Sequence, residues 1–243
     1  MPTIDADTTG FFGQIQLTSW LDARDATSAL FLTSTTSVRE SANAMWNAKT
    51  AGRGGFIYRV YRAYAMFPTS GITSVTNATL KVKGLTNRTL DFVAVKANAM
   101  GDGSALALAD FDAIDGWDGS GGVDNTSNVT KYFDDIDLPS DPFSITGYNE
   151  IELNAAARSD MESESKFEMM FIGVEYDLTG TSPSTGTSVR TGLCLSPHNT
   201  HPIQIVYNET AGYSHSILGV SSGNIASVNG VQDGKISNIN GVG

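Results

Sequence analysis

Alternating apolar and polar residues mark a series of short strands along the chain. The strongest pattern covers residues 57–67, where apolar side chains occupy both alternate rows of positions. Apolar residues on both faces are typical of a central strand that is covered on both sides. Further alternating or apolar segments predict strands at 14–21, 29–33, 78–83, 91–96, 149–153, 167–174, 192–195 and 202–207.

Turn-forming residues separate these segments. Clusters of Gly, Ser, Asp and Pro lie between them, as at 52–55, 118–122 and 180–186. Only residues 105–114 and 155–161 have spacings that suit short helical turns. Many short strands joined by turns predict an all-β fold, and we expect a jelly-roll β-sandwich.

We predict that this sandwich extends over residues 1–212. Residues 1–50 supply N-terminal strands, and residues 51–212 form the main region. Side chains on the apolar parity of each strand are expected to be buried between two sheets. They are Val60, Leu80, Val82, Phe92, Ile151, Leu153, Phe171, Ile203 and Ile205.

Residues 213–243 form a short C-terminal repeat tail. The pattern of residues 225–231 recurs at 236–242, each time with three apolar positions and an Asn-Gly pair that favours a tight turn. Two short repeats cannot bury their own apolar rows, because repeat units need neighbours to cover them. We therefore predict an assembly contact that forms a homo-oligomer, with a trimer favoured, through Ile225, Val228, Val231, Ile236, Ile239 and Val242.

Charge and composition exclude several classes of protein. The chain has 15 basic and 26 acidic residues, which argues against nucleic-acid binding, because that function needs clustered positive charge. Cys194 is the only cysteine, so an intrachain disulfide is impossible. No apolar stretch is long enough to span a membrane, and residues 1–7 lack the apolar run of a signal peptide. We expect no membrane insertion.

An acidic segment at 110–118 contains the best candidate metal ligands. Oxygen-rich loops of this kind suit calcium, although the spacing differs from that of an EF-hand. The aspartates are Asp110, Asp112, Asp115 and Asp118. The same segment carries three apolar side chains that can pin a long connection to the core, namely Phe111, Ile114 and Trp117. We expect these apolar anchors, rather than a metal ion, to order the connection.

Motifs for catalysis and cofactor binding give little support to an enzyme. No His-Glu-x-x-His zinc motif occurs, and the nearest phosphate-loop match, at 230–235, is one residue short. Three tyrosines in the predicted central strand suit either a sugar-binding platform or packing, and we favour packing for Tyr58, Tyr61 and Tyr64. The sequence therefore predicts a non-enzymatic protein without a cofactor.

The order of several segments resembles a known family. Residues 59–67, 69–72 and 75–82 read Arg-Val-Tyr-Arg-Ala-Tyr-Ala-Met-Phe, Thr-Ser-Gly-Ile and Val-Thr-Asn-Ala-Thr-Leu-Lys-Val. This order resembles the opening of DNRLRE-type jelly-roll domains, although Pro68 stands where that family usually has Asp. Segments that resemble later strands of the family are 148–154, 167–173 and 201–207, so the likeness covers residues 53–208.

The resemblance implies two classes of function. Domains of this type occur in structural proteins of tailed bacteriophages, and the repeat tail is similar to the ends of phage particle proteins. We therefore expect a virion structural protein on the particle exterior, either a tail-fibre or appendage subunit or a capsid decoration protein. Its expected partners are other capsid or tail proteins, with a host-surface glycan as a further candidate. The alternative is a carbohydrate-binding module of a surface or secreted protein.

Overall fold

The computed structural model describes residues 1–34, 41–101, 105–138, 140–141, 143–195 and 200–210, together with 227–228 and 231–232. Only the backbone is described at 34, 41–43, 86–87 and the last two pairs. The strands in these ranges are β1 (Thr3–Asp5), β2 (Thr8–Gln16), β3 (Phe31–Ser34), β4 (Ser41–Gly52), β5 (Gly55–Pro68), β6 (Val75–Arg88), β7 (Phe92–Lys96), β8 (Tyr148–Glu152), β9 (Lys166–Gly173), β10 (Ser188–Cys194), β11 (Gln204–Glu209), β12 (Ser227–Val228) and β13 (Val231–Gln232). They are accompanied by the helices α1 (Trp20–Arg24) and α2 (Ala155–Ser163), a 3-10 helix (Leu108–Asp112) and a π-helical turn (Val174–Leu178). No helix within these ranges is long and apolar enough to cross a membrane.

Eleven strands form one antiparallel hydrogen-bonded network that folds into two layers. The first layer has the order β3-β2-β5-β9-β7, and the second has the order β1-β11-β6-β8. β4 and β10 pair with each other and connect β5 of the first layer to β6 of the second. β5 takes part in both arrangements because it pairs with β4 along its first half and with β9 along its second half. The prediction of an all-β sandwich is confirmed.

The strand predicted to be central is central. β5 lies between β2 on one side and β4 and β9 on the other, and it is buried from Val60 through Phe67. All nine side chains predicted for the core are at most 8% exposed, as expected. The apolar parity of the strands therefore identified buried positions correctly.

One of the nine core residues, Val60, lies outside the space between the two layers. It shares a face of β5 with Arg62, because side chains two positions apart along a strand point the same way. Arg62 donates to the Phe111 carbonyl, and Gln14, which is paired with Val60, donates to the Ser28 carbonyl. This face is thus covered by α1 and by the connection from β7 to β8, which together form a third layer.

The strand predicted at 14–21 is wrong from Leu17 onward. β2 ends at Gln16, and the Ser19 hydroxyl caps α1 by accepting a hydrogen bond from the Asp22 amide at 3.0 Å. The buried residues Trp20 and Arg24 are four positions apart, which is the spacing of one helical face. A serine cap therefore outweighs an alternation that extended over only a few residues.

Two strands had no apolar signal in the sequence. β1 is short, and β4 has four alanines and two asparagines among its 12 residues, so neither gives a clear alternation. Ala44, Met45, Asn47 and Ala48 of β4 are nevertheless buried. β4 is an interior strand, with β5 and β10 as its neighbours.

The first repeat of the C-terminal tail contains a hairpin. β12 and β13 pair in antiparallel fashion, with Val228 opposite Val231 and only residues 229–230 between them. This pairing agrees with the sharp turn predicted at the first Asn-Gly. The other predicted assembly residues, Ile225, Ile236, Ile239 and Val242, lie outside the described residues.

Candidate functional site

The four aspartates considered as calcium ligands have separate environments. Asp110 is buried, and its carboxylate accepts a hydrogen bond at 2.7 Å from the backbone amide three residues earlier. Hydrogen bonds from the Ser120 hydroxyl and amide lower the pKa of Asp118, whereas burial raises the pKa of Asp112. Asp115 is exposed. Within the described ranges no group of three or more His, Cys, Asp or Glu is placed to hold a metal ion, and calcium binding by these aspartates stays an untested alternative to the expected apolar anchoring.

The apolar anchors of the same connection are in place. Phe111 and Ile114 are buried, and Trp117 packs against the core. The Trp117 ring also lies beside two guanidinium groups, 4.5 Å from that of Arg24 and 4.4 Å from that of Arg62. The packing of these three side chains agrees with their predicted role as anchors, and Trp117 adds a cation–π contact that the sequence did not reveal.

Arg62 forms a fully buried ion pair with Asp177. Its Nε and Nη2 donate to the two carboxylate oxygens at 2.9 and 2.7 Å, and neither side chain is exposed. Nη1 and Nη2 also donate to the carbonyls of Phe111 and Arg24, at 2.8 and 3.0 Å. Such two-pronged pairing is the strongest geometry for an arginine and a carboxylate.

Arg24 extends this cluster to α1, in the N-terminal part of the chain. Its Nε donates to the Asp177 carbonyl at 2.6 Å, Nη2 donates to the Val123 carbonyl at 2.7 Å, and Nη1 pairs with Asp25. Burial lowers the pKa of Arg24 against the opposing effect of the Asp177 and Asp25 charges. We call Arg24, Arg62, Trp117 and Asp177 the arginine network; it joins α1, β5, the long connection and the π-helical turn. Its three charged side chains, Arg24, Arg62 and Asp177, are completely buried, which suits a structural role.

A polar cleft of about 510 Å³ opens beside the end of β7 and the start of β9. Its walls combine two lysines with three carboxylates and a small number of neutral residues. They are Lys96, Ala97, Asn98, Met100, Gly101, Asp115, Glu164, Ser165, Lys166 and Glu168. We refer to this space as the polar cleft.

The charge of Lys96 is compensated inside the cleft wall. Its Nζ lies 2.6 Å from a Glu164 oxygen and 3.1 Å from an Asp160 oxygen. Burial lowers the pKa of Lys96, but the hydrogen bonds to Glu164 and Asp160 outweigh this and raise it overall. Lys166 donates from Nζ to the Met100 carbonyl at 3.2 Å. Both lysines are therefore engaged by the protein itself.

Glu168 has one anchored oxygen and one open oxygen. The Tyr64 hydroxyl and the Met100 amide each donate to Oε2 at 2.9 Å. Burial and the neighbouring Glu168 charge raise the pKa of Tyr64, so its hydroxyl remains a donor. Oε1 makes no hydrogen bond within the described ranges and is not among the polar atoms sealed from solvent there. Glu168 lines the polar cleft, and Oε1 is its carboxylate oxygen that has no hydrogen bond in the described part of the chain.

A row of aromatic side chains lies across β2, β3, β4 and β5. In β5 these side chains are on the face opposite to Val60 and Arg62. We call Phe11, Phe31, Trp46 and Tyr61 the aromatic patch. Ring centroids are 6.1 Å apart for Phe11–Phe31, 5.1 Å for Phe31–Tyr61 and 5.2 Å for Trp46–Tyr61. Phe31 lies against the backbone of Gly13, where a Cβ would be 2.1 Å from its ring. Tyr61 is buried, and the other three rings are partly exposed.

The aromatic patch carries positive charge at one end. Trp46 of β4 is paired with Tyr61 of β5 on one side and with Arg190 of β10 on the other. The guanidinium groups of Arg59 and Arg190 lie 5.0 and 5.6 Å from the centre of the Trp46 ring. Neither arginine pairs with a carboxylate in the part of the chain that the structure describes. Burial raises the pKa of Tyr61 in spite of the nearby Arg59 charge.

The tyrosines of β5 pack as predicted. Tyr58 and Tyr61 are each 8% exposed, and Tyr64 is fully buried.

No protein-family model matches this sequence, and no curated protein matches it either. The resemblance to DNRLRE-type domains therefore stays a prediction, and the candidate sites rest on the geometry of this chain alone.

One further motif lies in the C-terminal tail. Residues 219–223 read Gly-Val-Ser-Ser-Gly, which is the spacing of a hydrolase nucleophile elbow. In that class of enzyme the catalytic histidine follows the serine, whereas all three histidines of this chain precede Ser221. The segment lies outside the described residues. The order of residues argues against a hydrolase triad of this kind.

Proposed function

We propose that the protein is a non-enzymatic structural component on the exterior of a tailed-bacteriophage particle, either a fibre or appendage subunit or a capsid decoration protein. The observation that carries this proposal is the apolar C-terminal repeat, whose first unit contains the β12–β13 hairpin. Its partners are further copies of this chain and other particle proteins. The arginine network supports the same role, because it fixes a long connection rigidly without forming an accessible site.

Burial of its apolar side chains favours contact between the repeat tail and a partner. Six apolar positions fall within 18 residues of the tail. Burying each side chain contributes about 1.5–3 kcal/mol, so a contact that covers all six is strongly favoured over exposure to water. Chain copies related by threefold symmetry would place equivalent apolar rows against one another.

Deleting residues 221–243 is expected to leave a folded sandwich that no longer forms an oligomer or joins the particle. The reason is that the deletion removes the six apolar side chains and leaves the sandwich strands intact. Analytical ultracentrifugation measures the oligomer, and mass spectrometry of purified particles measures incorporation and copy number. Hundreds of copies indicate decoration, and a handful indicates a fibre.

Point variants separate the apolar contact from the length of the tail. Ile225→Ser with Ile236→Ser alters equivalent apolar positions of the two repeats and should reproduce the loss. Ala226→Ser with Ser237→Ala alters neighbouring positions and should assemble normally. An unchanged oligomer and normal incorporation of the deleted chain would refute the proposed role of the tail.

The aromatic patch favours carbohydrate binding as a second candidate function. Exposed ring faces pack against the apolar C–H faces of sugars, and polar groups nearby bind the hydroxyls. Here Phe31 and Trp46 are partly exposed, and Trp46 is flanked by Arg59 and Arg190. The tail is then an oligomerisation device that presents several such patches together.

Trp46→Ala should weaken glycan binding about tenfold, equivalent to ~1.4 kcal/mol, if the patch binds sugar. Trp46→Phe keeps a ring and should retain most of the affinity. The matched control is Phe56→Ala, which removes an exposed ring at the β4–β5 turn. A glycan array followed by calorimetry measures the effect, and an array without any binding removes this candidate while leaving the particle role untouched.

A further inference from the structure

The carboxylate of Glu168 is buried and only partly hydrogen-bonded within the described part of the chain. Glu168 is only 5% exposed, and none of the ion pairs in the described ranges includes it. A buried charge is costly unless it is paired or fully hydrogen-bonded. Its two donors both bind Oε2, so among the residues that the structure describes Oε1 has no partner and is left to a group that enters the cleft. A donor that enters the cleft would complete this site.

The sign of the surrounding charge indicates which donor fits. Among the described residues that line the polar cleft, two are lysines and three are carboxylates, which leaves one net negative charge. Asp160 lies behind this wall and shares Lys96 with Glu164, which makes the region more negative. A cleft lined by one excess sign of charge attracts the opposite sign. The chemistry therefore favours a cationic donor.

We propose that the polar cleft binds a primary ammonium group carried on a short organic chain. The ammonium donates to Glu168 Oε1, and the exposed carboxylate of Asp115 lies in the same wall for a second contact. A volume of about 510 Å³ is far larger than a bare ammonium ion and accommodates a chain attached to it. Two sources share this chemistry: a free amine and a lysine side chain of a partner protein. This binding goes beyond the proposed assembly role and does not depend on it.

Calorimetric titration of the full chain with n-butylammonium chloride tests the site, because this probe matches the end of a lysine side chain. We expect saturable binding of the amine. We expect n-butanol, which has the same carbon chain without the charge, to bind at least about tenfold more weakly, because hydrogen bonds between charged groups are the stronger class. Chemical-shift mapping should place the contact at the amides of Asn98 to Gly101.

Variants locate the binding on Glu168. Glu168→Gln keeps an oxygen that can accept from Tyr64 and Met100 but removes the charge, so amine affinity should fall about tenfold. The matched control is Glu152→Gln, which alters an exposed carboxylate on β8 and should leave affinity unchanged. If Glu168→Gln lowers the melting temperature too far, Asp115→Asn provides a second variant with an expected loss of about threefold.

Two peptides distinguish the sources of the ammonium. Acetyl-Gly-Lys-Gly-amide should bind more tightly than n-butylammonium if the partner is a protein side chain, and more weakly if it is a free amine. The norleucine peptide is the uncharged control. The proposal is overturned if no amine binds, if amine and alcohol bind equally, or if Glu168→Gln binds amine as the unmodified chain does.

Discussion

Replacing Arg62 with Met is expected to lower the free energy of unfolding by about 3–5 kcal/mol, since it leaves a buried carboxylate without its partner. Asp177 is completely buried, and Arg62 supplies two hydrogen bonds to its oxygens. The variant also leaves the Phe111 carbonyl without a donor from Arg62. Urea unfolding followed by circular dichroism measures the loss as a shift of the midpoint at constant slope.

Two controls show that burial of the ion pair causes this effect. Lys81→Met breaks the more exposed Lys81–Glu150 pair, which has a 2.8 Å contact, and should change stability by about 0–1 kcal/mol. Arg62→Met combined with Asp177→Leu removes both charges and should be more stable than Arg62→Met alone. A loss below about 1 kcal/mol for Arg62→Met would show that the network contributes little.

Truncating Phe171 to Ala should cost about 3–5 kcal/mol, because it removes a large ring from the space between the two layers. Phe171 is fully buried, pairs with Ala63 and Ala94 on the neighbouring strands, and lies 6.5 Å from the Phe92 ring. The small partners cannot move inward to fill the cavity. Thermal and urea unfolding both measure this loss.

An exposed leucine provides the control for Phe171. Leu17 is 71% exposed just beyond β2, so Leu17→Ala should change stability by no more than about 0.5 kcal/mol. Phe171→Leu keeps most of the volume and should fall between the two. If Phe171→Ala behaved like Leu17→Ala, its side chain would lie outside the well-packed core.

The sequence predicted those strands in which all side chains on one face share the same environment, either the core or the solvent. In β6, Leu80 and Val82 face the core, while Lys81 lies on the outer face and pairs with Glu150 of β8. This division produces the alternation that a sequence shows. In β5 both faces are apolar because the second layer covers one face, and α1 with the connection from β7 to β8 covers the other. The sequence showed this as apolar residues in both alternate rows of positions.

Other elements depend on contacts that a local pattern does not contain. β4 lies between β5 and β10, which pair with its backbone, and its small residues are buried without any alternation. The end of β2 is set by the Ser19 cap, which stops the strand before Leu17 and Leu21 can continue the pattern. In both cases a hydrogen bond or a neighbouring strand decides the structure.

The sites were harder to predict because their residues are distant in the chain. Arg62 and Asp177 are 115 positions apart, and Tyr64 and Glu168 are 104 apart. One member of each pair nevertheless gives a signal in the sequence, because Arg62 and Glu168 are charged residues inside largely apolar strands. A charge in such a place needs a partner, and this signal marks both the arginine network and the polar cleft.

The arginine network also constrains the order of events during synthesis on the ribosome. Arg62 emerges long before Asp177, which follows 115 residues later. At about 5–20 residues per second, this interval lasts roughly 6–23 s. During that time the Arg62 guanidinium has no Asp177 carboxylate to pair with, and β5 also lacks its later partner β9. The ion pair can therefore form only after most of the polypeptide has been made.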